Sequence, residues 1–256
     1  MNASRVTWHT ATVASTTPET PLARRIVLDV PTWPGNRAGA HLDVRLTAED
    51  GYQATRSYSI ASAGEGPRVV LAVDEVSTGE VSPFLVHDLR TGDRLELHGP
   101  LGAYFLWPPS DAEGAHATAA AAAAAAAAPV QLVAGGSGVV PLYAMATARA
   151  ALGGGEFRLL YSVRRPADAF FAAELTALVT SGDLRLDWIH TREAPEGSPR
   201  PAGRVTSDEL TALVLPPESG ATVYVCGPTP FVEAVTATLL QLGHLAERIR
   251  TERFGG

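Results

Sequence analysis

Between residues 5 and about 105, short runs of alternating apolar and polar positions are separated by turn residues. The runs 5–14, 25–30, 41–47, 55–62, 69–76 and 94–98 are rich in Val, Ile, Leu, Thr and Tyr, which favour a pleated, half-buried surface. Pro31, Pro34-Gly35, Gly39, Asp50-Gly51, Gly64-Glu65-Gly66 and Thr91-Gly92-Asp93 fall between them, where turn chemistry wants them. Six such runs at close spacing predict an antiparallel barrel or sandwich.

The texture changes after Pro109. A polar stretch leads into an unbroken alanine tract from Ala119 to Ala128, closed by Pro129. Alanine has the best helix propensity, yet a helix without an apolar face gains little from packing. Residues 110–129 are therefore read as a low-complexity insertion between a first domain, 1–109, and a second, 130–256.

From Val130 onward the period alternates between strand and helix. Strands are expected at 130–134, 156–162, 184–190, 222–226 and 249–254, with helices at 139–151, 169–179, 208–213 and 231–242. Such alternation predicts right-handed βαβ units around a parallel sheet. Ligands of these sheets lie beyond the carboxyl ends of the strands, here at Gly135, Ser162, Thr191 and Cys226.

Composition narrows the function. The formal net charge of -7 comes without a basic block, which argues against nucleic-acid binding. No apolar run approaches the roughly 20 residues that cross a bilayer, and the first 13 residues carry no apolar signal core. A soluble, cytoplasmic protein is expected. With Cys226 its only cysteine, the chain has no internal disulfide and no cysteine-ligated cluster, so no metal site is expected.

Four motifs remain. Arg56-Ser57-Tyr58-Ser59 lies in a strand, so Arg56 and Tyr58 share one face and Ser57 and Ser59 the other. An Arg fork suits a pyrophosphate, and a Tyr and a Ser suit a flavin ring, although the run alone fits an ordinary strand as well. Thr78-Gly79-Glu80-Val81-Ser82 precedes an expected helix at 83–89 and offers N–H groups and a hydroxyl to a phosphate, or serves as a plain N-cap. Gly135-Gly136-Ser137-Gly138, with Pro141 beyond, joins a strand to a helix as a phosphate-binding turn does, and equally as a plain turn does. Ser162 with Arg164, and Thr191 with Arg192, end the next two strands with a hydroxyl and a guanidinium instead of an acid, which mildly favours a 2′-phosphate. The fourth motif, Cys226-Gly227-Pro228, is followed by a terminal Glu252-Arg253-Phe254.

Taken in this order, these motifs make the chain resemble the ferredoxin-NADP reductase superfamily over nearly its whole length. The resemblance implies a six-stranded Greek-key β-barrel that binds FAD and an α/β domain that binds NADPH or NADH. It implies that Arg56 contacts the FAD pyrophosphate, that Tyr58 lies along the flavin and that Ser59 approaches its N5, with Ser57 in the same cofactor-binding set. Leu71 and Val73, with Gly79, Val81 and Ser82, join the FAD set. Gly135, Gly136, Gly138 and Pro141 match the nucleotide turn, and Ser162, Arg164, Thr191 and Arg192 the outer nucleotide site. Cys226 and Gly227 match the nicotinamide site, and Glu252 and Phe254 the terminal carboxylate and ring-stacking aromatic. Ser59, Cys226, Glu252 and Phe254 are the catalytic candidates. The aromatic that often accompanies the Thr191-Arg192 pair is replaced near Arg204-Val205, which leaves the choice of coenzyme open.

The activity implied is transfer of hydride from NADPH or NADH to FAD, with electrons passing on to a separate acceptor such as a ferredoxin, haem or molybdenum protein. Two alternatives stand beside it: a reductase of small acceptors such as free flavin or ferric chelates, and a non-catalytic electron-transfer or redox-sensing subunit of a larger oxidoreductase.

Overall fold

Six β-strands form the scaffold of the first hundred residues: β1 (Thr7–Thr20), β2 (Ala23–Asp29), β3 (His41–Thr47), β4 (Gln53–Ser59), β5 (Arg68–Asp74) and β6 (Arg94–Leu101). The computed structural model describes residues 7–109 and 127–255. The chain divides into two units, one ending at Leu106 and the other beginning at Trp107. The alanine tract as far as residue 126 lies outside the described residues.

The first unit is one antiparallel sheet in the order β4-β3-β6-β1-β2-β5. Because β6 inserts between β3 and β1, the connections are those of a Greek key. The two edge strands meet where Ile60 bridges Leu71 and the Ala61 N–H donates to the Val70 carbonyl at 2.8 Å, which closes the barrel. Alternate residues point inward, so that Ile26, Leu28, Leu42, Val44, Leu71 and Leu97 have no exposure. Each such side chain contributes about 1.5–3 kcal/mol.

β1 runs six residues past the expected end at Ala14. It pairs with β6 only as far as Thr12 and thereafter with β2 alone, with register shifts at Val13/Ser15 and Pro18/Thr20. Pro18 is tolerated because the strand there has a partner on one side only. The helix expected at 83–89 is instead a π-helical turn, Phe84–Asp88, pinned by buried Leu85 and Val86. It is too short for propensity to govern, and packing of those two residues sets its form.

The second unit is a parallel sheet in the order β11-β10-β7-β8-β9. Its strands are β7 (Val130–Gly135), β8 (Phe157–Val163), β9 (Arg185–His190), β10 (Thr222–Pro228) and β11 (Ile249–Phe254). The helices are α1 (Val139–Leu152), α2 (Ala172–Thr180), α3 (Ser207–Leu213) and α4 (Thr229–Gln241). Every residue of β7 is buried, as a central parallel strand covered on both faces requires. The chain winds outward from β7 through β8 to β9 and then returns to the other side of β7 for β10 and β11. The strand order therefore reverses between β7 and β10, and the crevice at their carboxyl ends is where such sheets bind ligands. Among the described residues no helix is long and apolar enough to cross a membrane.

Candidate cofactor sites

In the barrel unit, β4 is paired along its length with β3, setting Val44 opposite Arg56 and Leu42 opposite Tyr58. Tyr58 packs against the barrel core. Burial pushes its hydroxyl up to about 12, with the nearby Arg56 guanidinium offsetting part of the effect. The phenol thus keeps its proton and acts as a hydrogen-bond donor. Arg56 is exposed, and its Nη2 donates to Glu80 Oε2 at 2.6 Å, while Tyr52 donates to Glu80 Oε1 at 2.8 Å. Ser57 turns elsewhere: its hydroxyl donates to Asp43 on β3 at 2.5 Å. Ser59 is half-buried at the end of the strand.

The loop that carries Glu80 is folded tightly. The Gly79 N–H donates to the Val76 carbonyl at 2.7 Å, and the Val76 N–H donates to Ser82 Oγ at 3.0 Å. A Cβ on Gly79 would lie 3.0 Å from that carbonyl and 3.1 Å from Ser82 Oγ, so any larger residue requires the loop to give by a few tenths of an ångström. Ser82 is buried, but it ties the loop rather than capping the turn that follows. Arg56, Gly79 and Ser82 are thereby brought to one place, and the residues fit a diphosphate: a guanidinium fork already engaged by an anion sits against a glycine loop. The side chains of Leu71, Val73 and Val81 lie in the core, so only their backbone is available to a ligand.

Two features of this unit escaped the sequence reading. Tyr52 and Glu80 form an acidic cap over Arg56, and a cavity of 530 Å³ opens beside them, lined also by Arg45, Phe84 and Glu96. Tyr52 belongs to no motif, and Glu80 lies inside the Thr78–Ser82 run with no role of its own in that motif. Their relation to Arg56 comes from the folding of the 76–82 loop onto β4.

In the sheet unit, a 3₁₀ turn, Gly136–Gly138, joins β7 to α1, and the start of α1 has no side-chain cap. The Val139 N–H is taken by the Gly136 and Ser137 carbonyls, so what this turn offers an anion is the positive end of the helix dipole. The glycines divide between two roles. A Cβ on Gly138 would strike the Cys226 carbonyl, and one on Gly135 would sit 2.7 Å from the Phe231 ring. One on Gly227 would sit 2.9 Å from the same ring, so these three glycines let the two turns pack against each other around Phe231. Gly136 alone of the four has a left-handed φ of 56° and faces open space. It is the glycine best placed to meet a ligand. Pro141 is buried in the first turn of α1.

Cys226 is 1% exposed. Burial, with a contribution from Glu252, raises its thiol well above the ordinary range, so it is a neutral side chain rather than a thiolate. β10 and β11 pair in parallel register, placing Glu252 beside Cys226 and Phe254 beside Pro228. Burial lifts the Glu252 carboxyl to about 7. Phe254 remains 39% exposed, with its ring free to cover another.

A cavity of 630 Å³ opens at the carboxyl ends of β8 and β9. Ser162, Arg164, Thr191 and Arg192 line it, as do Arg204 and Ser207 and an apolar wall of Pro228, Phe231 and Ala234. The four outer nucleotide candidates are thus brought together. Arg204 comes from a loop that carries no motif.

The match to known proteins follows this division. Residues 23–106 match the oxidoreductase FAD-binding domain, and residues 132–237 match the oxidoreductase NAD-binding domain. The chain belongs to the ferredoxin-reductase-like family of FAD- and NAD-binding oxidoreductases. Among its relatives is the ferredoxin reductase component of 3-ketosteroid-9-alpha-monooxygenase from Rhodococcus rhodochrous, 29% identical over 95% of this chain and 64% of that protein. Flavohemoprotein A of Dictyostelium discoideum is 28% identical over 84% of this chain and 51% of that protein. The chain therefore spans between half and just under two thirds of the length of these relatives. Among solved structures, the Amycolatopsis cytochrome P450 reductase GcoB is 27% identical, with a TM-score of 0.78 over 97% of this chain and 70% of that one. The FAD/NAD-binding domain of a Vibrio cholerae nitric oxide dioxygenase, 24% identical, has a TM-score of 0.79 over 97% of this chain and 99% of its own. This likeness is one of fold.

Proposed function

We propose that this family member is a flavin-dependent NAD(P)H reductase that delivers electrons to a separate metalloprotein. The observation that carries the reading is the presence of two complementary sites in one chain. One is a guanidinium and glycine loop that fits the FAD diphosphate. The other is an uncapped helix start beside Cys226 that fits a dinucleotide.

When bound, the nicotinamide supplies a hydride and the flavin accepts it and releases electrons one at a time or in pairs. The protein's share is binding, orientation and electrostatics. Arg56 and the Gly79–Ser82 loop hold the diphosphate, and Tyr58 keeps its proton and fixes a ring edge by donation. Ser59, at the end of the same strand, would orient that ring. At the other site Gly136 and the positive start of α1 take the coenzyme's pyrophosphate. Cys226 offers a small, neutral, polarisable surface to a nicotinamide, and Phe254 a ring that shields it. Glu252, poised at about 7, can hold or yield a proton near neutral pH.

The acceptor is read from the names of the relatives: a ferredoxin reductase component, a flavohemoprotein and a cytochrome P450 reductase. A ferredoxin is the first candidate and a haem protein the second. The test is an anaerobic titration of FAD-loaded protein with NADPH and with NADH, followed by addition of each acceptor. Bleaching of the flavin and its recovery on adding acceptor support the reading. A flavin that neither coenzyme bleaches sinks it.

A further inference from the structure

The backbone that carries Phe254 is held from both directions. On one side, the parallel register of β10 and β11 sets Cys226, Gly227 and Pro228 beside Glu252, Arg253 and Phe254. Pro228 has no N–H to add to the sheet at this end, and β11 stops at Phe254. On the other side a side chain takes over: the Thr229 hydroxyl donates to the Gly255 carbonyl at 3.0 Å, across 26 residues of sequence. Gly255 has a left-handed φ of 69°, and a Cβ on it would meet nothing within 4 Å. The chain bends directly after Phe254 with open space beside it, and the Thr229 hydroxyl fastens the bend.

Thr229 is itself rigidly placed. It is the first residue of α4, between Pro228, whose φ is -57°, and Pro230 in the first turn. Proline fixes its own φ and narrows the choices of the residue before it, so the hydroxyl needs little ordering to reach Gly255. Pro228 and Pro230 line the 630 Å³ cavity, whereas the hydroxyl between them is turned to the Gly255 carbonyl. The Phe254 ring, 39% exposed, can turn about its side-chain torsions. The backbone beneath it cannot leave without breaking the Thr229 bond.

We propose that Thr229 is a positioning residue that fastens the backbone under Phe254 and so sets how readily a nicotinamide reaches the strand ends beside Cys226. This rests on the reductase reading above. With the bond in place, an entering nicotinamide has to turn the Phe254 ring aside against a fixed backbone. Without it, ring and backbone withdraw together, and the nicotinamide enters more easily and stays longer.

The experiment is calorimetric binding, to the full FAD-loaded chain, of NAD+ and ADP-ribose, which differ by the nicotinamide alone, and of the same pair carrying a 2′-phosphate. Thr229→Val keeps the shape of the side chain and removes the hydroxyl. It should tighten the nicotinamide-bearing ligand by about threefold to tenfold, the range of one hydrogen bond, and leave its ring-less counterpart within about twofold. The KM for the reduced coenzyme should fall in step. Thr229→Ser, which restores the hydroxyl, should return both quantities to their wild-type values. A role confined to stability moves the two ligands together. Nicotinamide affinity that is unchanged or weaker in Thr229→Val overturns the proposal, as does a Thr229→Ser variant that behaves like Thr229→Val. If both ligands shift alike, this inference falls and the reductase reading stands. If the wild type binds neither pair, the reductase reading falls and this inference with it.

Discussion

Cys226 and Glu252 stand beside each other on adjacent parallel strands, a buried thiol and a half-buried carboxyl at the carboxyl end of the sheet. Burial raises both. For Glu252 the consequence is a pH dependence of stability. Its folded value of about 7 lies above the ordinary carboxylate range, so between roughly pH 4.5 and 7 the folded state holds a proton that the unfolded state has released. Stability therefore falls as pH rises through that window and levels off above it, by at most about 3 kcal/mol. Glu252→Gln should remove the slope and gain most at pH 8. Urea unfolding of both proteins at several pH values checks this, and a difference that stays constant with pH contradicts it.

The same burial makes Cys226 inert. A thiol that is 1% exposed and raised by desolvation and a neighbouring carboxyl reacts only when the sheet opens. Labelling with a disulfide reagent at about pH 8 should be slower in the native protein than in urea by at least about a hundredfold. Fast labelling of the native protein contradicts the assignment of Cys226 as a neutral packing surface.

The glycines of the two turns should separate by phenotype. Gly138→Ala drives a methyl into the Cys226 carbonyl, which is backbone and cannot swing aside, and should cost about 1–3 kcal/mol. Gly136→Ala meets no atom but must hold a φ of 56°, at a cost of about 1 kcal/mol. Its larger effect should be on coenzyme binding. Thermal melts paired with coenzyme titrations resolve the two, and the assignment fails if Gly138→Ala is the milder for stability.

How far the sequence carried this can be traced residue by residue. The periods of two and 3.6 located every strand and helix of both units, because those patterns report burial directly. Ends were missed where long-range contacts decide them. Helix α2 begins at Ala172 rather than 169, because the Phe170 N–H is taken by the Tyr161 hydroxyl at 3.0 Å. Phe171 then adopts a φ of 55° and stacks on Tyr143 at 4.0 Å. The motif residues at strand ends were legible since turn chemistry and strand order place them. The contact of Glu80 with Arg56, 24 residues apart, was not, because it depends on a side-chain pairing that no local pattern encodes. The glycine runs were legible as turns, but their division between packing and ligand access needed the position of Phe231.

Glu80 yields the last prediction. Its carboxylate occupies the Arg56 fork at 2.6 Å, where a diphosphate is proposed to sit, so the two anions compete for one guanidinium. With both side chains about half exposed, the pair itself adds little to stability, within about 1 kcal/mol. Its effect is on binding. Glu80→Gln removes the competitor and the repulsion toward the cofactor, and should tighten FAD binding by several-fold, up to about tenfold. Tyr52→Phe, which loosens Glu80 without touching the charge, should move the affinity in the opposite direction or not at all, since a freed carboxylate still repels a diphosphate. Arg56→Ala should weaken FAD by at least about tenfold with little change in melting temperature. Quenching of flavin fluorescence on titrating apoprotein into FAD measures all three. Weaker binding by Glu80→Gln would show that Glu80 supports the cofactor rather than standing in for it.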